Sequence, residues 1–244
     1  MSSDAVIVAD RLTRRFGSFT AVNAISFEVR RGEIFGFLGA NGAGKTTAIK
    51  MMSGLLMPSD GTAVVGGFDV STHAEDVKRS IGYMSQRFSL YGDLTVRENI
   101  QFYGGIYGLR KAALAERTQH LLDDLGLHED ADRLVGELPL GLKQKLAFST
   151  ALVHNPKVVF LDEPTSGVDP LTRRQFWEMI YAAADRGTTI LITTHYLDEA
   201  EYCNRISVMV DGTMAAYDTP TAVKEQLGVR TMDEVFLKLT RTSS

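Results

Sequence analysis

The sequence has one cysteine, Cys203, among 244 residues. No disulfide can form within the chain, which fits a reducing compartment. A basic excess is also missing: 26 lysines and arginines stand against 30 aspartates and glutamates, for a net charge of −4. Nothing global therefore points to nucleic acid, whose binders carry positive charge to meet phosphates. The longest apolar runs, such as KVVFLD and TTILITT, have strand length. They fall well short of the roughly 18 residues that would span a bilayer. The start, MSSDAVIVADRL, has no basic segment followed by an apolar core, so no signal peptide is expected. Work at a membrane would need another chain to supply the spans. Low-complexity tracts, long linkers and fixed-period repeats do not occur either. What is there is ordinary for a globular protein, 44% hydrophobic and 23% charged, with enough length to bury a core.

Residues 6–8 and 24–29 alternate in β fashion. Asp60-Gly61 reads as a turn before a strand, TAVVGG. EIFGFL, residues 33–38, is a short apolar run between glycines, the mark of a buried strand. Ile49, Met52, Leu55 and Leu56 then recur at helical spacing, with Pro58 as a stop. From about 94 to 154 the chain reads as mostly helical. One stripe is Leu121, Leu122, Leu125 and Leu127, and another is Leu142, Leu146, Thr150 and Val153. Strands and helices alternate afterwards: VVFLD, a helix around 173–184, TTILITT, a helix around 196–202. RISVMV-DG-TMAAY is a hairpin with Asp211-Gly212 at its tip. This order predicts an α/β domain, a mainly parallel sheet with helices on both faces, interrupted by a helical insertion.

GANGAGKTT, residues 39–47, fits G-x-x-x-x-G-K-S/T through Gly39, Gly44, Lys45 and Thr46. A polyphosphate needs several N–H donors converging on it. Glycines lack the Cβ that would block the approach and accept unusual backbone angles. The helix that follows adds its positive end. Lys45 brings a point charge to the outer phosphates, and the Thr46 hydroxyl is a ligand for Mg²⁺. The phosphate-binding segment thus comprises Gly39, Asn41, Gly42, Ala43, Gly44, Lys45, Thr46 and Thr47. Further on, KVVFLDEPTSGVD runs four apolar residues into Asp162 and Glu163. Ligands of doubly wound sheets bind at such strand ends. Neighbouring strand residues point to opposite sides, so the two carboxylates are free to differ: Asp162 toward the metal, Glu163 toward an attacking water.

The order of these motifs resembles the ATP-binding-cassette (ABC) ATPases, with matches from about Phe16 to His195. The resemblance implies a P-loop NTPase (RecA-like) core with an N-terminal antiparallel β subdomain. It implies one domain over 1–244, with a core of about 1–87 and 156–244 and a helical subdomain of about 88–155. Gln86 in GYMSQ resembles the family's Q-loop glutamine, which reaches Mg²⁺ and the attacking water. Asp169, ending SGVD, resembles the D-loop aspartate. His195 in ITTHYLDEA resembles the switch histidine at the γ-phosphate. Phe16 sits where the family stacks an aromatic ring on adenine, and Phe19 competes for that place. VFLKL, residues 235–239, resembles the tails of ABC-2 type export ATPases. The other four histidines, His73, His120, His128 and His154, have no metal-ligand spacing and are expected to be structural or at the surface. Cys203 is expected to be a packed thiol.

Where the family reads L-S-G-G-Q, this chain has Leu138-Pro139-Leu140-Gly141-Leu142, then Lys143, Gln144 and Lys145. The family uses this helix start to grip the γ-phosphate of ATP held by the facing subunit. Here the hydroxyl is gone and Pro139 offers no N–H. Proline suits a helix's first turn, and the N–H groups of Gly141, Leu142 and Lys143 are expected to remain. One charge-assisted hydrogen bond is worth roughly 1.5–3 kcal/mol, so losing one weakens trans binding roughly tenfold to a hundredfold. The L-P-L-G form resembles a branch of bacterial multidrug-export ATPases, which makes it a working variant; the competing reading is a site that binds ATP and hardly turns it over. Phe88, Tyr91, Phe102, Tyr103 and Tyr107 either line a groove for a helix of the membrane subunit or pack internally.

The resemblance implies a cytoplasmic ATPase on the inner face of the membrane. It implies ATP and Mg²⁺ as ligands, a transmembrane permease as partner, a homodimer or heterodimer of cassettes, and no nucleic acid. The competing functions are a soluble ABC protein of translation or repair and a regulatory ATP-binding module.

Overall fold

The computed structural model describes residues 4–86 and 90–242, and Phe88 lies outside them. Two sheets share the work. The first is antiparallel, formed by β1 (Ala5–Phe16), β2 (Phe19–Arg30), β4 (Asp60–Val65) and β5 (Phe68–Asp69) in the order β2-β1-β4-β5. The second holds β3 (Ile34–Leu38), β6 (Ile81–Met84), β7 (Val158–Asp162), β8 (Thr189–Thr194), β9 (Arg205–Val210) and β10 (Thr213–Asp218). Its order is β10-β9-β3-β8-β7-β6, parallel except where β10 turns back on β9 through the expected hairpin.

Every residue of β3, β7 and β8 is buried. A strand covered on both faces has no polar side, so it reads as an unbroken apolar run. Strand β3 serves two cores by alternation. Phe35 and Phe37 join Phe27 between the two sheets, with ring centroids 5.1–5.6 Å apart. Ile34 and Leu38 point to the other face, where the helices pack.

The helices are α1 (Lys45–Met52), α2 (Ala74–Ser80), α3 (Val96–Ile106), α4 (Lys111–Leu125), α5 (Leu140–Ala151), α6 (Pro170–Asp185), α7 (Pro220–Leu227) and α8 (Met232–Thr242). Helix α3 starts on a capping box, Thr95 with Glu98, and α4 stops at Gly126 in the left-handed region. The inserted helices α3, α4 and α5 share one apolar core with the sheet face through Leu122, Leu146, Phe148 and Leu161. Of the two stripes, Leu121, Leu122, Leu127, Leu146, Thr150 and Val153 are buried, while Leu125 and Leu142 are half-buried.

Two local expectations need correction. Asp60-Gly61 does not form a turn; both residues lie in β4, with Asp60 opposite Thr13. The pairing slips between Asp10 and Thr13, Gly61 has φ 75°, and a Cβ there would collide with the Arg11 carbonyl. The glycine serves a β-bulge, which asks for the same backbone freedom as a turn. Around residues 196–202, the helix is a short 3₁₀ helix, Leu197–Tyr202.

Candidate functional site

The parallel register sets the site. Leu38 pairs with Thr194, Asp162 with Thr193, and Met84 with Leu161. Four strand ends therefore stop along one edge, and the residues that follow them meet there.

After β3 comes the glycine loop. Gly42 and Gly44 have φ 86° and 102°, and a Cβ on Gly44 would collide with the Ala21 carbonyl. Only glycine fits that approach. Gly44 heads α1, and no side chain caps the helix, so its leading N–H groups are left for a ligand. Lys45 is 4% exposed. Its Nζ donates to the carbonyls of Gly39 (2.7 Å) and Ala40 (3.1 Å) and lies 3.7 Å from Glu163 Oε1. Burial pulls its pKa down, against the opposing pull of Glu163 and Asp162.

Asp162 Oδ1 accepts from Thr46 Oγ1 (3.0 Å) and Thr193 Oγ1 (2.6 Å). Glu163 Oε2 accepts from Gln86 Nε2 (2.9 Å) and lies 3.1 Å from His195 Nδ1. The two carboxylates do diverge, but not through strand pleating. The strand ends at Asp162, and Glu163 has φ 50°. This left-handed conformation is costly for a side-chain residue, by about 1–3 kcal/mol. Two hydrogen bonds hold it, from the Glu163 N–H to Thr193 O (3.1 Å) and to Thr193 Oγ1 (2.9 Å).

Lys45, Thr46, Gln86 and Glu163 line a cleft of about 300 Å³ together with Asn41, Gly42, Gly44 and Thr47, while Asp162 and His195 are not part of its lining and touch it through Thr46 and Glu163. Among the described residues, no group of three or more His, Cys, Asp or Glu could hold a metal on its own. The oxygens of Thr46, Asp162 and Gln86 suit a hard cation that takes its remaining ligands from phosphates.

Residues 22–166 match the family model described as ABC transporter. This chain belongs to the ABC transporter family.

It is an ATP-binding domain of that family. It is 47% identical over 241 residues to the probable multidrug ABC transporter ATP-binding protein YbhF of Escherichia coli (strain K12), covering 97% of this chain and 42% of that protein. The chain therefore spans less than half the length of that relative. The Nod factor export ATP-binding protein I of Burkholderia lata is 42% identical over 213 residues, covering 87% of this chain and 70% of that protein. A solved ATP binding subunit of an ABC transporter superposes with a TM-score of 0.87 at 28% identity, covering 96% of this chain and 99% of that one. The P-loop NTPase core with its antiparallel sheet and helices is the fold expected of an ABC ATPase.

The remaining residues that the ABC resemblance singled out divide between two places. Phe16 and Phe19 both line the cleft, 46% and 63% exposed. The Arg14 guanidinium lies 4.6 Å over the Phe16 ring. Gly39 and Ala43 do not line the cleft; the Ala43 N–H is spent on the Ala40 carbonyl at 3.1 Å. Pro139, Leu140, Gly141, Leu142 and Asp169 do not line it either. They form a second patch with the start of α6. A Cβ on Gly141 would lie 2.6 Å from Thr172 Cγ2, and one on Gly167 would lie 3.7 Å from Leu140. Asp169 caps α6, accepting from the N–H groups of Leu171 and Thr172 (3.0 Å each) and from Thr172 Oγ1 (2.6 Å). Those bonds, led by the Thr172 hydroxyl, hold its carboxyl below the usual aspartate range.

The signature helix starts differently from the sequence expectation. Pro139 is the cap residue, outside the first turn, and the helix begins at Leu140. The Lys143 N–H is spent on the Pro139 carbonyl at 3.1 Å. The N–H groups that head the helix are those of Leu140, Gly141 and Leu142.

The aromatic cluster splits. Tyr91 and Phe102 are exposed and meet edge to face at 4.9 Å, with Tyr103 against both. The buried Asn99 pins Tyr91 by two backbone bonds of 2.9 Å. Tyr107 leaves the group and stacks on His154 at 3.6 Å. Burial there pushes the imidazole down to about 4. Cys203 is buried, 3.7 Å from the Glu199 carbonyl, and burial raises its thiol pKa. Thr193, Thr165 and Glu199 escaped the sequence reading. The only signal was polar residues ending or following apolar strands.

Proposed function

We propose that this chain is the ATP-hydrolysing motor of an ABC-2 type exporter. It works from the inner face of the membrane, with a separate permease supplying the spans. Among the described residues, no helix is long and apolar enough to cross a bilayer. Two cassettes, identical or paralogous, close on two ATP–Mg²⁺. The observation that carries the proposal is the setting of Glu163: it touches Lys45, Gln86 and His195 at once, at the mouth of a glycine-floored cleft.

The glycine loop and Lys45 bind the triphosphate. Phe16 or Phe19 stacks on adenine. Thr46, Asp162 and Gln86 hold Mg²⁺, which when bound neutralises charge on the phosphate oxygens. Glu163 takes a proton from the attacking water as the water oxygen bonds to the γ-phosphorus and the bond to ADP breaks. His195 meets the γ-phosphate and orients Glu163. The N–H groups of Leu140, Gly141 and Leu142, with the helix dipole behind them, grip the partner cassette's γ-phosphate. Asp169 lies beside that grip. Exposed Tyr91 and Phe102 offer an apolar seat for a permease helix. No nucleic acid takes part.

Glu163→Gln tests the proposal. It keeps the shape and removes the base, so phosphate release falls on the order of 10²–10⁴-fold while ATP remains bound. Near-normal phosphate release in that variant removes Glu163 from the mechanism.

A further inference from the structure

The loop that follows Glu163 and the turn that follows His195 meet a second time, away from the cleft. The meeting point is Glu199, four residues past His195 and 0% exposed. Its Oε1 accepts from Thr165 Oγ1 at 2.7 Å and from Trp177 Nε1 at 3.4 Å, and Arg173 Nε lies 3.7 Å away. Its Oε2 has no hydrogen-bond partner among the described residues. Thr165 is 1% exposed and follows Glu163 by two residues. Arg173 also covers the ring of Tyr196 at 4.0 Å, and the Tyr196 ring lies tilted against His195 at 4.3 Å.

A buried carboxylate with an unsatisfied oxygen is a poor stabilising device. Well-packed apolar residues usually serve a core better. Here the costly group lies where it closes a ring. From Glu163 the chain runs to Thr165, crosses to Glu199 by a hydrogen bond, returns along the turn to His195, and meets Glu163 again at 3.1 Å. The Thr193 bonds already hold the Glu163 backbone to β8; the Thr165–Glu199 bond adds a tie between the loop after Glu163 and the turn after His195.

We propose that Glu199 and Thr165 form a positioning pair that sets the geometry of Glu163 against His195. The inference rests on those two residues being the hydrolytic pair. Neither Glu199 nor Thr165 touches the cleft; they act through the residues they hold. A hydroxyl at 165 is required, and its bulk alone is not enough.

The test compares Thr165→Val, which keeps the shape, with Thr165→Ser, which keeps the hydroxyl. Both are measured for kcat and KM by phosphate release with Mg²⁺ and ATP, beside wild type and E163Q. Thr165→Val lowers kcat on the order of tenfold to a hundredfold, and KM for ATP moves by about twofold or less. Thr165→Ser stays within about twofold of wild type in both constants. Retention of kcat in Thr165→Val overturns the inference, as does a loss confined to KM or an equal loss in Thr165→Ser. If the valine variant does not fold, Thr165→Ala removes the same hydroxyl without bulk and carries the same expectation. A dead E163Q beside a normal Thr165→Val sinks the positioning pair alone. A normal E163Q sinks the catalytic reading, and the inference with it.

Discussion

The cleft edge and the signature patch are built on opposite plans. At the cleft, Lys45, Asp162 and Glu163 are 1–7% exposed, and each carboxylate touches at least two side chains. That region is organised by the chain's own side chains. At the signature patch, Leu140 is 43% exposed and Leu171 66%, and α5 starts at Leu140, after the Pro139 cap, with no side chain capping it. One chain thus carries a nearly finished half-site and, in another patch, an uncapped helix start. The contrast teaches why the proposed motor works as a pair. Preorganised charge in a low-dielectric pocket binds the nucleotide without help, whereas an open helix start needs an anion presented by a partner.

The largest expected effect breaks the cleft alone. Lys45→Ala removes the only ammonium that touches both the loop carbonyls and Glu163 among the described residues. ATP affinity of the isolated chain falls about a hundredfold or more. Equilibrium binding of a fluorescent ATP analogue measures it, and an affinity close to wild type would show that the amide loop suffices.

A smaller effect is expected on the other face. The paired changes Pro139→Ser and Leu140→Gly rebuild the common signature and return one charge-assisted bond. ATP-driven dimerisation of an E163Q background tightens roughly tenfold to a hundredfold. Sedimentation with saturating ATP reads it, and an unchanged dimer constant refutes this account of the patch.

The smallest effect concerns the cap at Asp169. Its folded pKa lies below the ordinary aspartate value of 3.8. The stabilisation is therefore complete above that unfolded value and disappears as pH falls through the folded one. Asp169→Ala lowers the melting temperature at pH 7, and the gap to wild type closes at strongly acidic pH. Asp169→Asn keeps a capping oxygen and loses less at pH 7. A gap that persists unchanged into acid would mean that the charge is not what holds the cap.

Gln86 and His195 were singled out by the family resemblance, whereas the loop from Gly39 to Thr47 and the strand end at Asp162 and Glu163 were readable in the chain. So were the parallel order and the Asp211-Gly212 hairpin. Each is written in consecutive residues whose backbone demands are local. Thr193 was not legible as the clamp on Glu163, because the clamp exists only once β7 and β8 align. Nor was the role of Gly61, because a bulge and a turn ask the same of a glycine. The aromatic cluster stayed open because burial, not composition, separates Tyr107 from Tyr91 and Phe102.

By itself, the sequence determined that a glycine loop would head a helix after a buried strand, and that two carboxylates would end another. Those features follow from short-range sterics and from apolar periodicity. Tertiary structure alone decided that Glu163 turns through φ 50° to meet Lys45, Gln86 and His195. It alone decided that Glu199 reaches Thr165 across 34 positions. Contacts between distant residues depend on sheet register and packing, and neither is encoded within any single stretch of the chain.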